Sequence, residues 1–267
     1  MRYGKLLGLA ALGAVAGVLF LAGVALAGRP LNTNDTEPVE PGMWQIEASG
    51  AYEHDSSYDH YDYSFTLAHG IMAGLDLGIG FGGQFERIKE LNSAAFNEEG
   101  LGDLTVTPRW KFLEQSGYVP GQAVSFTVKF PTADHDNGLG SGEMDYDLTW
   151  IATEKIGDKV QIDANIGYLW IGEPEDDDVS DIFHYGVAVE YQLFEPVQWV
   201  AEVFGERELT SGGESAVLFN TGLRWAVCEG LSLDVAGGSG ISGEAPDFFA
   251  TAGLTWVFGP EKKEKGN

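Results

Sequence analysis

Basic residues are scarce in this chain. Its 267 residues carry 15 Lys and Arg against 41 Asp and Glu, a formal charge of −26. A surface that neutralises nucleic-acid phosphates needs the opposite balance, so nucleic acid is excluded as a partner. Cysteine is nearly absent: the single thiol, Cys228, rules out a disulfide framework and any multi-cysteine metal site. Long apolar runs are missing after residue 27, and none approaches the roughly 18 residues that a membrane-spanning helix requires. Methionine is rare at four residues, whereas 37 Gly and an aromatic content of 12% lean toward β structure.

Residues 1–27 form the one exception to the lack of apolar runs. Arg2 and Lys5 precede the apolar stretch Leu6 to Leu26, and Ala25-Leu26-Ala27 is a small-x-small cleavage site. We expect a signal peptide cut after Ala27, with an uncleaved anchor as the alternative. Cleavage removes two bases and no acids, and so takes the charge from −26 to −28. No cysteine follows the run, so lipid attachment there is excluded.

The rest of the chain repeats a period of two. Apolar and polar residues alternate in twelve windows of about ten residues: 43–53, 60–69, 75–85, 103–112, 122–130, 143–153, 160–171, 182–193, 197–207, 215–227, 231–238 and 247–258. In the last, Phe248, Ala250, Ala252, Leu254, Trp256 and Phe258 share one face, and Phe249, Thr251, Gly253 and Thr255 the other. Alternation fits a soluble sandwich as well as a membrane barrel. Three features favour the barrel. The apolar face is free of charge through the middle of every window, with Glu47, Asp76, Asp103, Arg109, Lys111, Lys129, Asp145, Asp147, Asp163, Glu190, Glu202, Arg224 and Asp234 all on the other face. Links between windows alternate between tight turns and long polar loops. Six of seven Trp, namely Trp44, Trp110, Trp150, Trp199, Trp225 and Trp256, fall toward the tight-turn rim, while Tyr52, Tyr61, Tyr63, Phe81, Phe85, Tyr168, Trp170, Phe183 and Tyr185 gather at the other. Two aromatic girdles mark the two interfaces of a bilayer. The expectation is an all-β, antiparallel, up-and-down transmembrane barrel of about twelve strands over residues 43–258. Residues 28–42 then form a periplasmic lead-in and 259–267 a polar periplasmic tail. Pro108, in mid-strand on the lipid face, predicts a bulge or irregular pairing.

Several segments are similar to one known barrel family. These are Gly28-Arg29-Pro30-Leu31 with Val39-Glu40-Pro41-Gly42-Met43-Trp44; Gly100-Leu101-Gly102-Asp103-Leu104-Thr105; Phe130-Pro131-Thr132 with Gly138-Leu139-Gly140-Ser141-Gly142 and Asp145-Tyr146; Gly222-Leu223-Arg224-Trp225; and Ser242-Gly243-Glu244-Ala245-Pro246-Asp247. In order and spacing they resemble the meta-pathway phenol degradation barrels, whose members are often called simply transporters. The resemblance implies a bacterial outer-membrane barrel passing small organic compounds, aromatic ones among them. It carries no catalytic motif.

Candidate functional residues lie on the inner face. The bases Arg109, Lys111 and Lys129 gather on the fourth and fifth windows, and Arg224 faces them across the lumen. The acids Asp145, Asp147, Asp163, Glu190 and Glu202 occupy the sixth to ninth windows. Two readings stand: salt-bridged filling of a narrow lumen, or a constriction of opposed charge that orients polar solutes. The loop Glu173 to Asp181, with Glu175, Asp176, Asp177 and Asp178, offers hard oxygen ligands that would suit Ca²⁺ or Mg²⁺ and could bridge to lipopolysaccharide; the alternative is a solvated loop. Asp134 to Gly138 departs from calcium-loop spacing. The five His match no zinc spacing, and no cofactor is called for. An outer-membrane lipid hydrolase using Ser56 or Ser57 with His54 or His60 is a further alternative to the channel and to a plugged structural barrel.

Overall fold

The computed structural model describes residues 28–56, 58–88, 97–135, 139–172, 179–210, 213–243 and 245–260. The leader and most of the C-terminal tail lie outside these residues, as does the acidic stretch 173–178 with its weak metal candidates.

The alternating windows become strands, all antiparallel: β1 (Trp44–His54), β2 (Tyr58–Met72), β3 (Leu75–Ile88), β4 (Asn97–Leu101), β5 (Leu104–Leu113), β6 (Gly121–Phe130), β7 (Asp145–Ile156), β8 (Val160–Trp170), β9 (Ile182–Phe194), β10 (Val197–Glu208), β11 (Ser215–Cys228), β12 (Leu231–Gly243) and β13 (Phe248–Phe258). Each pairs with its neighbour in the chain, and β1 pairs with β13 from Trp44↔Phe258 to His54↔Phe248, which closes the sheet. Closure leaves no ladder edge for lipid to solvate. Thirteen segments make a twelve-stranded ring because β4 and β5 share one place in it. β5 pairs with Leu75–Gly80 of β3 and β4 with Gly83–Arg87. The break falls at Gly102-Asp103, where Asp103 accepts the backbone N–H of Thr132 and Ala133, both at 2.8 Å.

At Pro108 the pairing is irregular, as expected, but without a bulge. The β5–β6 ladder skips Thr107 and Pro108, yet the register on either side is the same; the shift comes later, between Lys111 and Leu113. The hydroxyls of Thr107 and Thr127, 2.9 Å apart, span the gap on the inner face. A missing donor therefore costs a ladder bond without inserting a residue.

Tight links join β2 to β3 and β11 to β12, where Gly74 and Gly230 take φ of 81° and 77°. This left-handed conformation is open to glycine at little cost. The short-turn rim also carries both ends of the barrel and the somewhat longer link 114–120, and the longest loops, among them 131–144, lie at the opposite rim, where the β1–β2 link 55–57 is short.

Side-chain exposure follows the alternation. Leu77, Ile79, Leu148, Val187, Leu223, Val235 and Trp256 point outward, while the inward positions include every charged residue assigned to that face from sequence. Aromatic contacts Tyr52–Tyr61, Tyr168–Trp170 and Phe183–Tyr185 cluster toward the long-loop rim. Trp150, opposite Ile166, stands nearer the middle of its strand than the other rim tryptophans. An outward belt of this kind makes a sharp demand: Val187→Arg, in mid-β9, should lower the stability of the barrel in lipid bilayers by about 2–4 kcal/mol in reversible unfolding, against near zero for Val187→Leu.

Candidate functional site

The lumen is occupied by the chain's own N-terminal segment. Residues 28–42, expected as a periplasmic lead-in, run along the inner face as a strap, because the strands present unpaired polar side chains that its backbone satisfies. Proceeding backward from β1, the strap enters at the short-turn rim. Pro41 bridges Gly70 of β2, and a β-carbon at Gly70 would collide with the carbonyls of Val39 and Glu40. The Val39 N–H donates to Asp76 of β3 at 2.7 Å. The Thr36 N–H donates to Thr153 of β7 at 2.9 Å, whose hydroxyl donates on to Asp163 of β8 at 2.6 Å. Asn34 and Asn165 of β8 exchange two bonds, at 2.6 and 2.8 Å. Near mid-barrel the carboxylate of Glu202 on β10 accepts the N–H of Asn32 and of Thr33, both at 2.8 Å. The strap then returns toward the rim. Arg29 donates to Asp234 of β12 and Thr251 of β13, each at 3.0 Å, and Arg224 of β11 donates to the carbonyls of Arg29 and Gly28 at 2.7 and 2.6 Å. Apolar anchors help: Leu31 packs on Ala188 and Val200, and Val39 on Ala68.

The sequence-chosen residues thus fall into separate groups. Arg109 is buried against Asp76 at 2.8 Å and also approaches Asp35 of the strap at 3.9 Å. Arg224 bonds Glu190 at 2.8 Å. Asp35 lies between these two arginines, with its Oδ2 3.4 Å from the position of a Gly28 β-carbon and Arg224 3.3 Å from the same point. Lys111 and Lys155 both hold Glu37, at 3.2 and 2.9 Å. Toward the long-loop rim, Lys129 pairs with Asp103 at 3.3 Å and Asp145 at 2.6 Å. Asp147 takes a 2.6 Å bond with His184 and a 2.7 Å bond from Thr149. The charges expected to oppose one another across the lumen are therefore bridged, by neighbouring strands or by the strap.

Sequence reading missed the strap residues Arg29, Asn32, Asn34 and Asp35, and the inward Asn165, Asn220 and His184. One signal was present: inner-face carboxylates outnumber inner-face bases, which calls for donors from elsewhere in the chain. At the long-loop rim the hydrolase candidates are engaged separately. His54 bonds Asp59 at 2.8 Å, His60 bonds Asp62 at 2.9 Å, and Ser56 donates to Asp55 at 3.3 Å; Ser57 lies outside the described residues. Among the described residues, no group of three or more His, Cys, Asp or Glu is arranged to hold a metal ion.

Glu37 sits at the rim, half exposed. Partial burial pushes its carboxyl up, but the hydrogen bonds and charges of Lys155 and Lys111 outweigh this and hold it below the ordinary 4.5. Its ionised form thus supports the strap above about pH 4.5, and that support is lost as pH falls through the lowered value. Solvent screening keeps the gain small: Glu37→Gln at pH 7 should cost under about 1 kcal/mol in thermal unfolding, and the difference from wild type should vanish in acid.

Filling of the lumen is uneven. Phe204, Ala216, Leu218 and Phe249 pack together inside β10–β13. Beside this cluster, and touching Phe249, a cavity of about 80 Å³ remains between Arg29–Asn32 of the strap and the polar inner face of β1–β3, with Ser49, Ser64, Thr66 and Gln84 on its wall.

Solved structures similar to this one include outer-membrane barrels. An outer membrane channel from Pseudomonas putida F1 matches with a TM-score of 0.69 at 15% identity, over 85% of this chain and 100% of that one. The NanC porin matches with a TM-score of 0.57 at 8% identity, over 79% and 98% of the two chains. The KdgM porin, in complex with disordered oligogalacturonate, matches at 0.53 and 11% identity, over 80% and 99%. No curated protein matches the chain. At these identities the likeness establishes the twelve-stranded membrane barrel. The sequence match is more specific: residues 27–258 fit one family throughout, and the chain belongs to the family described as "Putative MetA-pathway of phenol degradation".

Proposed function

We propose that this protein is a passive channel of the bacterial outer membrane for small molecules, with the strap narrowing its lumen. One observation carries the reading: a closed sheet whose outward belt is apolar between its rims encloses a polar interior in which strap and wall leave a cavity beside β1–β3. A barrel needed only as a membrane anchor could pack that interior with side chains. The outward belt and the even strand number support a periplasmic position for the short-turn rim and the strap's entry. The family description and the channel and porin neighbours support small organic solutes, aromatic ones included, as the class carried. The wall residues of the cavity supply hydroxyl, amide, carboxylate and guanidinium groups, which suit hydrogen bonding to a passing solute.

A second reading, a plugged structural barrel, is favoured by the density of strap contacts around Glu202 and Arg224. Purified protein in planar bilayers and in liposomes separates the two. Discrete conductance steps with swelling in small phenolic or sugar solutes are expected of a channel. A barrel that folds fully, judged by heat-modifiable gel mobility, but passes neither ions nor solutes is the plugged structure.

A further inference from the structure

The cleavage site Ala25-Leu26-Ala27 would make Gly28 the first residue of the exported chain. Gly28 does not trail away from the barrel. It is partly buried, its carbonyl accepts Arg224 Nη2 at 2.6 Å, and the point where a β-carbon would stand lies 3.4 Å from Asp35 Oδ2 and 3.8 Å from Glu190 Oε1. The backbone nitrogen is about 2.5 Å from that point, so it falls within about 6 Å of both carboxylates. The charges gathered here are the carboxylates of Asp35, Asp76 and Glu190, with Glu47, Asp163 and Asp234 bordering them, and the guanidinium groups of Arg29, Arg109 and Arg224. Carboxylates outnumber guanidinium groups, and the cluster is short of positive charge.

We infer that the amino group released at Gly28 by leader cleavage is the missing cation, and that it seats the strap in the lumen between Asp35 and Glu190. A leader peptidase hydrolyses the Ala27–Gly28 amide. Water supplies oxygen to the Ala27 carbonyl carbon, the C–N bond breaks, and the products are an Ala27 carboxylate and a Gly28 ammonium. Before the cut the same nitrogen is an uncharged amide. Processing therefore creates the group that completes the strap's seat, and closure follows export. An α-ammonium titrates near neutrality when free, and two carboxylates favour its charged form. The inference is independent of the transport reading, since the strap is seated in this way whether or not solutes pass.

The test is acylation of the folded, processed protein in detergent at pH 7 with acetic anhydride, read by intact mass and peptide mass spectrometry. The expected mature mass begins at Gly28, and its amine is protected in the folded barrel and acylated once the barrel is unfolded. Burial alone would also protect it, so Asp35→Asn, equal in size and uncharged, is compared. Reactivity should rise about tenfold, the equivalent of one pKa unit, while the heat-modifiable barrel persists. Insertion of Gly-Ser between residues 27 and 28 should abolish protection if cleavage stays after Ala27. A Gly28 amine that reacts equally in folded and unfolded protein, a mature chain starting elsewhere, or protection unchanged in Asp35→Asn each overturns the inference.

Discussion

Replacing Glu202 by Ala should open the lumen. Its carboxylate, buried on β10, accepts the backbone N–H of Asn32 and Thr33, the side-chain amide of Asn32 at 3.2 Å and that of Asn220 at 3.0 Å. These are charge-assisted bonds to the part of the strap nearest mid-barrel. Each is worth roughly 1.5–3 kcal/mol, and its loss leaves a buried N–H without a partner. Losing the group should destabilise the seated strap by on the order of 4 kcal/mol. The barrel itself should survive, because its ladder bonds run between strands and none depends on the strap. The expected outcome is thus selective: several-fold higher conductance and faster liposome swelling, with heat-modifiable mobility intact and residues 28–40 newly open to protease. Glu202→Gln, which keeps one acceptor oxygen, should fall between. If protease shows the strap released and flux stays at the wild-type level, the strap does not limit passage and the cavity beside β1–β3 is not on the route.

The barrel was legible in the sequence because its determinants are local. Alternation in a window such as Val160 to Trp170 sets which side chains face out, and the paired strand confirms each one in register. Closure, strand number and the inward direction of Arg109, Lys129 or Glu190 follow from that period alone. The strap was illegible for the converse reason. Leu31 to Thr36 has no period of two and no charge pattern of its own, and its backbone is held by bonds to residues between 117 and 170 positions away, from Thr153 to Glu202. Such contacts exist only once the barrel has closed around them. The split at Gly102-Asp103 belongs to the same class, since it depends on Asp103 finding the amides of Thr132 and Ala133. For Pro108, sequence identified the lost ladder bond but not how the chain absorbs it. Two threonine hydroxyls on the opposite face span the gap and hold the register.

Arg109→Ala should be among the most destabilising single substitutions in the barrel wall, and it decides between the two readings of the inner charges. Arg109 is 4% exposed and its partner Asp76 is wholly buried; Asp76 also receives the Val39 N–H. Removing the guanidinium leaves a carboxylate in a dry setting beside the strap, which costs about 3–5 kcal/mol. Replacing both members with apolar groups of similar size removes the attraction and the desolvation cost together, so Arg109→Met with Asp76→Leu should recover most of the loss, less the bond from Val39. A double-mutant cycle by reversible unfolding in lipid measures this coupling. Selectivity supplies the second readout. Because Arg109 is already paired with Asp76 and close to Asp35, its charge is largely cancelled at the lumen axis, and the ion preference of Arg109→Ala in a salt gradient should match wild type. Lys129, held between Asp103 and Asp145, should behave alike on substitution by Ala. A marked shift in reversal potential with unfolding unchanged would reverse the assignment: the arginine would then be a selectivity element exposed to the permeating ions, and the pairing a minor restraint.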